Sequence, residues 1–102
     1  MSVPKFKISR EARNDLNEIW LYTFDNWSRE QADRYYNLIL SELNYLAENP
    51  FAGKSIDHIR KGYRSSKVKF HLIFYIIDQD NKTVQIIRIL HEKMDIEARF
   101  KK

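Results

Sequence analysis

The chain has 102 residues, 43% hydrophobic and 31% charged, which suits one globular domain over residues 1–102 and excludes a disordered or membrane-embedded composition. With no cysteine, disulfides and thiolate metal sites are ruled out, as fits a reducing cytoplasm. The net charge of +4 is uneven: residues 1–53 carry 6 Lys/Arg against 8 Asp/Glu, and residues 54–102 carry 12 against 6, so the second half suits an acidic partner, either nucleic acid or an acidic protein segment.

Only 2 Gly and 2 Pro interrupt the chain, so long regular elements are expected. "PKFKI" at 4–8 alternates Phe6 and Ile8 with Lys5 and Lys7, the period of a short strand with one buried face. The opening "MSVPKFKIS" has no apolar signal segment, and no apolar run approaches the roughly 20 residues of a spanning helix. A soluble cytoplasmic domain with no membrane contact is therefore expected.

Ser9 offers an N-cap with Glu11 in the first turn. Ala12, Leu16, Ile19, Trp20, Thr23 and Trp27 then follow the spacing of one helix face over residues 9–27. "DNWS" breaks that spacing, and Ser28 with Gln31 forms a capping-box signature. The second helix, over 28–48, is predicted to bury Ala32, Tyr35, Tyr36, Ile39, Leu40, Leu43, Leu46 and Ala47. It ends at "ENP", because Pro50 biases Asn49 away from helical geometry.

"FAGKSIDHI" at 51–59 reads as a loop, and "RKGYRSSKV" opens the strand region. "VKFHLIFYII" at 68–77 is apolar on both faces, the mark of a central strand covered on both sides. "DQDN" is a turn, and "TVQIIRILH" at 83–91 is a second long strand. The order predicts an α+β fold, βααβββ, with an N-terminal short strand and an α-helical hairpin packed on an antiparallel sheet.

His58, His71 and His91 show no metal-ligand spacing, so no metal or cofactor is expected. A metal-independent ribonuclease needs a base, an acid and cations for the phosphate. Arg64 and Arg88 could clamp phosphate, His71, His91 or Glu92 could move protons, and Lys67 and Lys69 could position RNA. Most basic domains of this length hold such an inventory. The favoured reading makes Arg88, between Ile87 and Ile89, an ion-paired residue in a half-buried strand. Three residues apart on a regular strand, Arg88 and His91 project to opposite faces, which a bulge would undo. Trp27 and Phe51 lack obvious core positions and are either end caps of the hairpin or anchors for a partner.

Four segments, "ISREARNDLNEIWLYT", "LAENPFAGKS", "GYRSSKVKFHLIFYI" and "IIRILHEKMD", stand in the order seen in ParE toxins, and the chain resembles that branch of the RelE/ParE superfamily from residue 6 to residue 95. The specific parts are the Ala-x-x-Asp-Leu-x-x-Ile helix, the Asn-Pro-x-x-Gly turn and the Arg-x-Leu-His-x-x-Met-Asp ending. The resemblance implies a toxin that inhibits DNA gyrase without being an enzyme and is silenced by a ParD-like antitoxin. Such antitoxins are acidic where they wrap the toxin, which matches the basic second half. Trp20, Trp27, Phe51, Arg64 and Lys67 are the expected antitoxin contacts, and sequence-specific DNA binding by this chain alone is not expected. The sister RelE-like branch cuts mRNA on the ribosome, and that alternative would use Arg64, Arg88 and His91. Against it, the helix over 29–48 has only Arg29 and Arg34 as cations, and the hairpin is long, a ParE-like trait. His91 belongs to both patterns.

Overall fold

The computed structural model describes residues 6–100. Its elements are β1 (Phe6–Ile8), α1 (Arg10–Asn26), α2 (Arg29–Glu48), β2 (Lys54–Ser55), β3 (Tyr63–Val68), β4 (His71–Asp78), β5 (Thr83–His91) and α3 (Ile96–Phe100). The fold is α+β, as the element order in the sequence implies. Of the strand expected over 4–8, residues 4 and 5 lie outside the described residues, and 6–8 form β1.

Local chemistry sets the hairpin. Ser9 Oγ accepts the Ala12 N–H at 2.9 Å, and Ser28 Oγ accepts the Gln31 N–H at 3.1 Å, so each helix starts on a satisfied serine cap. The Ser9 hydroxyl also donates to Ile87 O at 2.7 Å, which ties the start of α1 to β5. The two helices lie against one face of a five-stranded sheet in the order β1-β5-β4-β3-β2. The sheet is antiparallel except at β1, which pairs in parallel with β5 from Phe6–Val84 to Ile8–Ile86.

The strand expected over 68–77 is corrected. Val68 ends β3, Lys69 and Phe70 make a two-residue turn, and His71 opens β4, which pairs back so that Val68 faces His71. Lys69 takes the left-handed conformation (φ 51°) that hairpin turns demand. The usual occupants of that position are glycine and asparagine, so the lysine hid the turn inside an apolar run. The loop read over 51–59 also contains the two-residue β2, and α3 follows the last strand unforeseen.

β4 is the central strand and is covered on both sides. Ile73 and Tyr75 join Leu16, Ile39, Leu43 and Leu46 in the core under the helices. Phe74 points the other way, into a second core with Ile56, Leu90 and Phe100. Between Phe74–Arg88 and Tyr75–Ile86 the register slips by one, leaving Ile87 as the extra residue of a bulge on β5. That slip puts both Ile86 and Ile89 in the helix-side core although they are three apart.

Candidate functional site

Between the hairpin and the β3–β4 turn lies a groove of about 1220 Å³. The end of α1 supplies Tyr22 and Trp27, α2 supplies Leu38, the turn supplies Phe70, and the segment after β5 supplies Met94. All five are exposed, Trp27 by 71% and Tyr22 by 67%. Hydrophobic side chains gathered this way, and not scattered singly, mark an interaction surface.

Its floor holds a histidine pair. His71 opens β4 and pairs directly with His91 at the end of β5, so both imidazoles rise on the helix side. Their ring centroids are 5.2 Å apart at 81°. Tyr35 on α2 brings its hydroxyl to 2.7 Å from His71 Nδ1 and 3.1 Å from Val68 O. Burial, then the neighbouring His91, pushes the His71 imidazole down to about 4. Burial raises the Tyr35 phenol above its ordinary value. The Lys93 N–H donates to His91 Nδ1 at 3.1 Å, and Phe70 stacks on the His91 ring. Beside the pair, the Glu92 carboxylate accepts from Lys67 Nζ at 2.7 Å, which holds it below its ordinary carboxylate range.

Of the residues singled out in the sequence, Lys69, His71, Arg88, His91 and Trp27 line this groove. Arg88 is ion-paired, as the plainer reading had it: its guanidinium is held by Asp15 of α1. The bulge at Ile87 precedes Arg88, so residues 88–91 keep a regular register against 71–74. Arg88 and His91 nevertheless line one groove, with Arg88 bonded to an α1 carboxylate that also takes the Ile89 N–H.

Arg64 is not brought to them. It lies toward the other end of β3, donating to Gly53 O at 2.6 Å and Phe51 O at 3.2 Å, with its guanidinium over the Phe51 ring. Trp20 faces a shallow dip between α1 and α2, where its indole N–H donates to Asp33 and its ring stacks on Phe24. Lys67 is exposed and tied to Glu92. The five expected contacts therefore fall on separate patches: Trp27 in the groove, Trp20 between the helices, Phe51 with Arg64, and Lys67 near the β3 end. Sequence reading missed Tyr22, Leu38, Phe70 and Met94 as exposed side chains, and Tyr35 as a partner of His71. Tyr22 falls off the buried spacing of α1, a signal that was available; Tyr35 and His71 are 36 positions apart and carried none.

Among the described residues, no group of three His, Cys, Asp or Glu is placed to hold a metal ion, and no helix is long and apolar enough to cross a membrane.

A family model described as ParE toxin of type II toxin-antitoxin system, parDE, matches residues 6–96. The chain belongs to the ParE toxin family. It is 33% identical to Toxin ParE1 of Mycobacterium tuberculosis over 93 residues, covering 91% of this chain and 94% of that protein. Toxin ParE1 of Caulobacter vibrioides is 34% identical with the same coverage, and Toxin ParE of Escherichia coli is 29% identical over 95 residues, covering 91% of this chain and 89% of that one. In fold it matches a chain of the chromosomal ParDE TA system of P. aeruginosa with a TM-score of 0.73 and 22% identity, covering 87% of this chain and 96% of that one. A chain of the toxin-antitoxin complex RelBE2 of Mycobacterium tuberculosis matches with a TM-score of 0.65 and 21% identity, covering 89% and 100%. The likeness in fold spans most of this ParE-family chain, whose groove lies where the hairpin meets the sheet.

Proposed function

We propose that this type II toxin inhibits DNA gyrase in the cytoplasm, without hydrolytic chemistry of its own, and is neutralised by a ParD-like antitoxin. The observation that carries the antitoxin partner is the groove, where Tyr22, Trp27, Leu38, Phe70 and Met94 stand exposed together. A partner that removes them from water gains about 25 cal/mol for each Å² of apolar surface buried. Aromatic anchors such as Trp27 carry a large share of such interfaces. The expected contacts Trp20, Phe51, Arg64 and Lys67 lie outside the groove, so an antitoxin reaching all of them has to wrap the domain. The basic second half supplies the charge for an acidic wrapping segment.

Two features favour an inhibitor over the RelE-like alternative. Arg64, Arg88 and His91 do not converge on one point, because Arg64 is engaged at Phe51 and Gly53. Arg88 is already occupied by a carboxylate, where a phosphate clamp needs a free fork. The test sets the purified protein side by side in gyrase supercoiling and ribosome-programmed mRNA cleavage. Loss of supercoiling with intact mRNA is expected. Cleaved mRNA with normal supercoiling would refute the reading.

A further inference from the structure

We propose that the His71–His91 pair is an anion-receiving subsite in the floor of the groove, and that it takes one carboxylate side chain from the antitoxin segment seated there. This rests on the antitoxin reading above and adds to it a specific polar contact beneath the apolar ones.

Hydrogen-bond bookkeeping fixes what the two rings present. Val68 O can only accept, so the single Tyr35 hydroxyl proton goes to it at 3.1 Å. The 2.7 Å contact between Tyr35 Oη and His71 Nδ1 then needs the proton of the ring nitrogen, so His71 is protonated at Nδ1 and bare at Nε2. His91 is the reverse. Its Nδ1 accepts the Lys93 N–H, so its own proton sits on Nε2. Neither Nε2 has a hydrogen-bond partner among the described residues, although both rings line the groove. One is a donor; the other becomes a donor on taking up a proton. A carboxylate has two oxygens for two such donors, whereas an apolar side chain would leave both nitrogens dry and unpaired.

The charges around the pair select the sign. On the helices, Asp15 is neutralised by Arg88, and one further carboxylate, Glu18, and one further cation, Arg34, line the groove. Glu92 is tied to Lys67. Lys69 in the turn and Arg99 on α3 have no carboxylate within ion-pair distance among the described residues and line the same groove. The surplus is positive, so an acidic occupant is complementary. Burial and the partner ring hold His71 uncharged. A carboxylate arriving between the rings stabilises its charged form, so binding takes up a proton and tightens as pH falls.

The experiment uses the whole chain and the full-length cognate ParD-like antitoxin. Affinity is measured by calorimetry between pH 8 and pH 6 in buffers of different ionisation enthalpy, and imidazole ¹⁵N shifts are recorded on the free protein and the complex. The expected results are net proton uptake, affinity that rises at least tenfold across the range, since uptake of one proton per complex changes affinity by up to about tenfold per pH unit, and a His71 ring that carries a positive charge in the complex at pH 7. Replacing one antitoxin Asp or Glu by Asn or Gln abolishes all three, and so does His91→Gln on a chain that still melts normally. The nitrogen shifts need no substitution, so they decide the matter even where a variant misfolds. Tight binding with no proton uptake and an unchanged His71 signal overturns the subsite and leaves the antitoxin reading standing. Absence of any antitoxin binding overturns both. If an RNA oligonucleotide, and not the antitoxin, shifts the ring signals in a salt-sensitive way, the anion is a phosphate and the assignment to an antitoxin carboxylate fails.

Discussion

Asp15 of α1 and Arg88 of β5 are joined by a two-pronged ion pair, Nε to Oδ2 at 2.8 Å and Nη2 to Oδ1 at 3.0 Å. Oδ2 also accepts the Ile89 backbone N–H at 3.0 Å. The pairing has a topological cause. β1 ends at Ile8, opposite Ile86, so the edge of β5 beyond it has no strand neighbour. A helical carboxylate takes that place, and the hydrogen bond to Asp15 holds the Arg88 proton more firmly than in water.

This pair is expected to be structural. Charge-assisted hydrogen bonds contribute about 1.5–3 kcal/mol each when partly buried, so Asp15→Asn and Arg88→Gln should each destabilise the fold by about 2 kcal/mol. In a double-mutant cycle the losses should be less than additive. Urea unfolding of the four proteins measures it. Additive losses would show that the two residues act independently.

Tyr75 is fully buried, yet its hydroxyl donates to Pro50 O at 2.7 Å and accepts the Gly53 N–H at 2.9 Å. It pins the turn after α2 to the sheet. Tyr75→Phe leaves both backbone groups without that partner and should cost about 1–3 kcal/mol. A Cβ on Gly53 would overlap the Tyr75 hydroxyl and come within 2.8 Å of Ser65 O. Gly53→Ala should therefore destabilise by about 1–3 kcal/mol through overpacking. Thermal melts of both variants test this, and a Gly53→Ala melt equal to that of the parent would contradict the close approach.

His71 makes stability depend on pH. Its folded value, about 4, lies below the ordinary 6.5, so between these limits the unfolded chain binds the extra proton. The stability conferred by a neutral His71 is complete above pH 6.5 and is lost as pH falls toward 4. Unfolding midpoints should fall across that window in the parent and fall less steeply in His71→Gln. Parallel curves for the two proteins would remove His71 as the source.

Trp27→Ala and Phe70→Ala should leave the fold nearly unchanged, because both side chains are mostly in water. Each should weaken antitoxin binding by about 2 kcal/mol, roughly thirtyfold, the loss typical of an interface hot spot. Trp20→Ala differs: it also breaks the bond to Asp33 and the stack on Phe24, so stability should drop with it. Surface plasmon resonance beside a melt separates the two effects. Unchanged affinity in Trp27→Ala would remove the groove from the antitoxin interface.

Residues near one another in the chain determined what the sequence alone could deliver. Ser9 and Ser28 cap the helices, Pro50 stops the second, and Thr83–His91 forms a strand with the bounds its residues imply. Each is a local effect of propensity, period or a cap, so each was legible. Where local signal was weak, reading failed: with no glycine or asparagine at Lys69–Phe70, the β3–β4 turn passed as one continuous strand. The groove depended on tertiary structure altogether. Asp15 meets Arg88 across 73 positions, Tyr35 meets His71 across 36, and His71 faces His91 only because a bulge at Ile87 sets the register. Trp27 follows the same helical spacing as buried Leu16, but it stands exposed at the end of α1, where nothing among the described residues covers it. Periodicity reports which face a residue occupies; only packing decides whether another element is there to meet it.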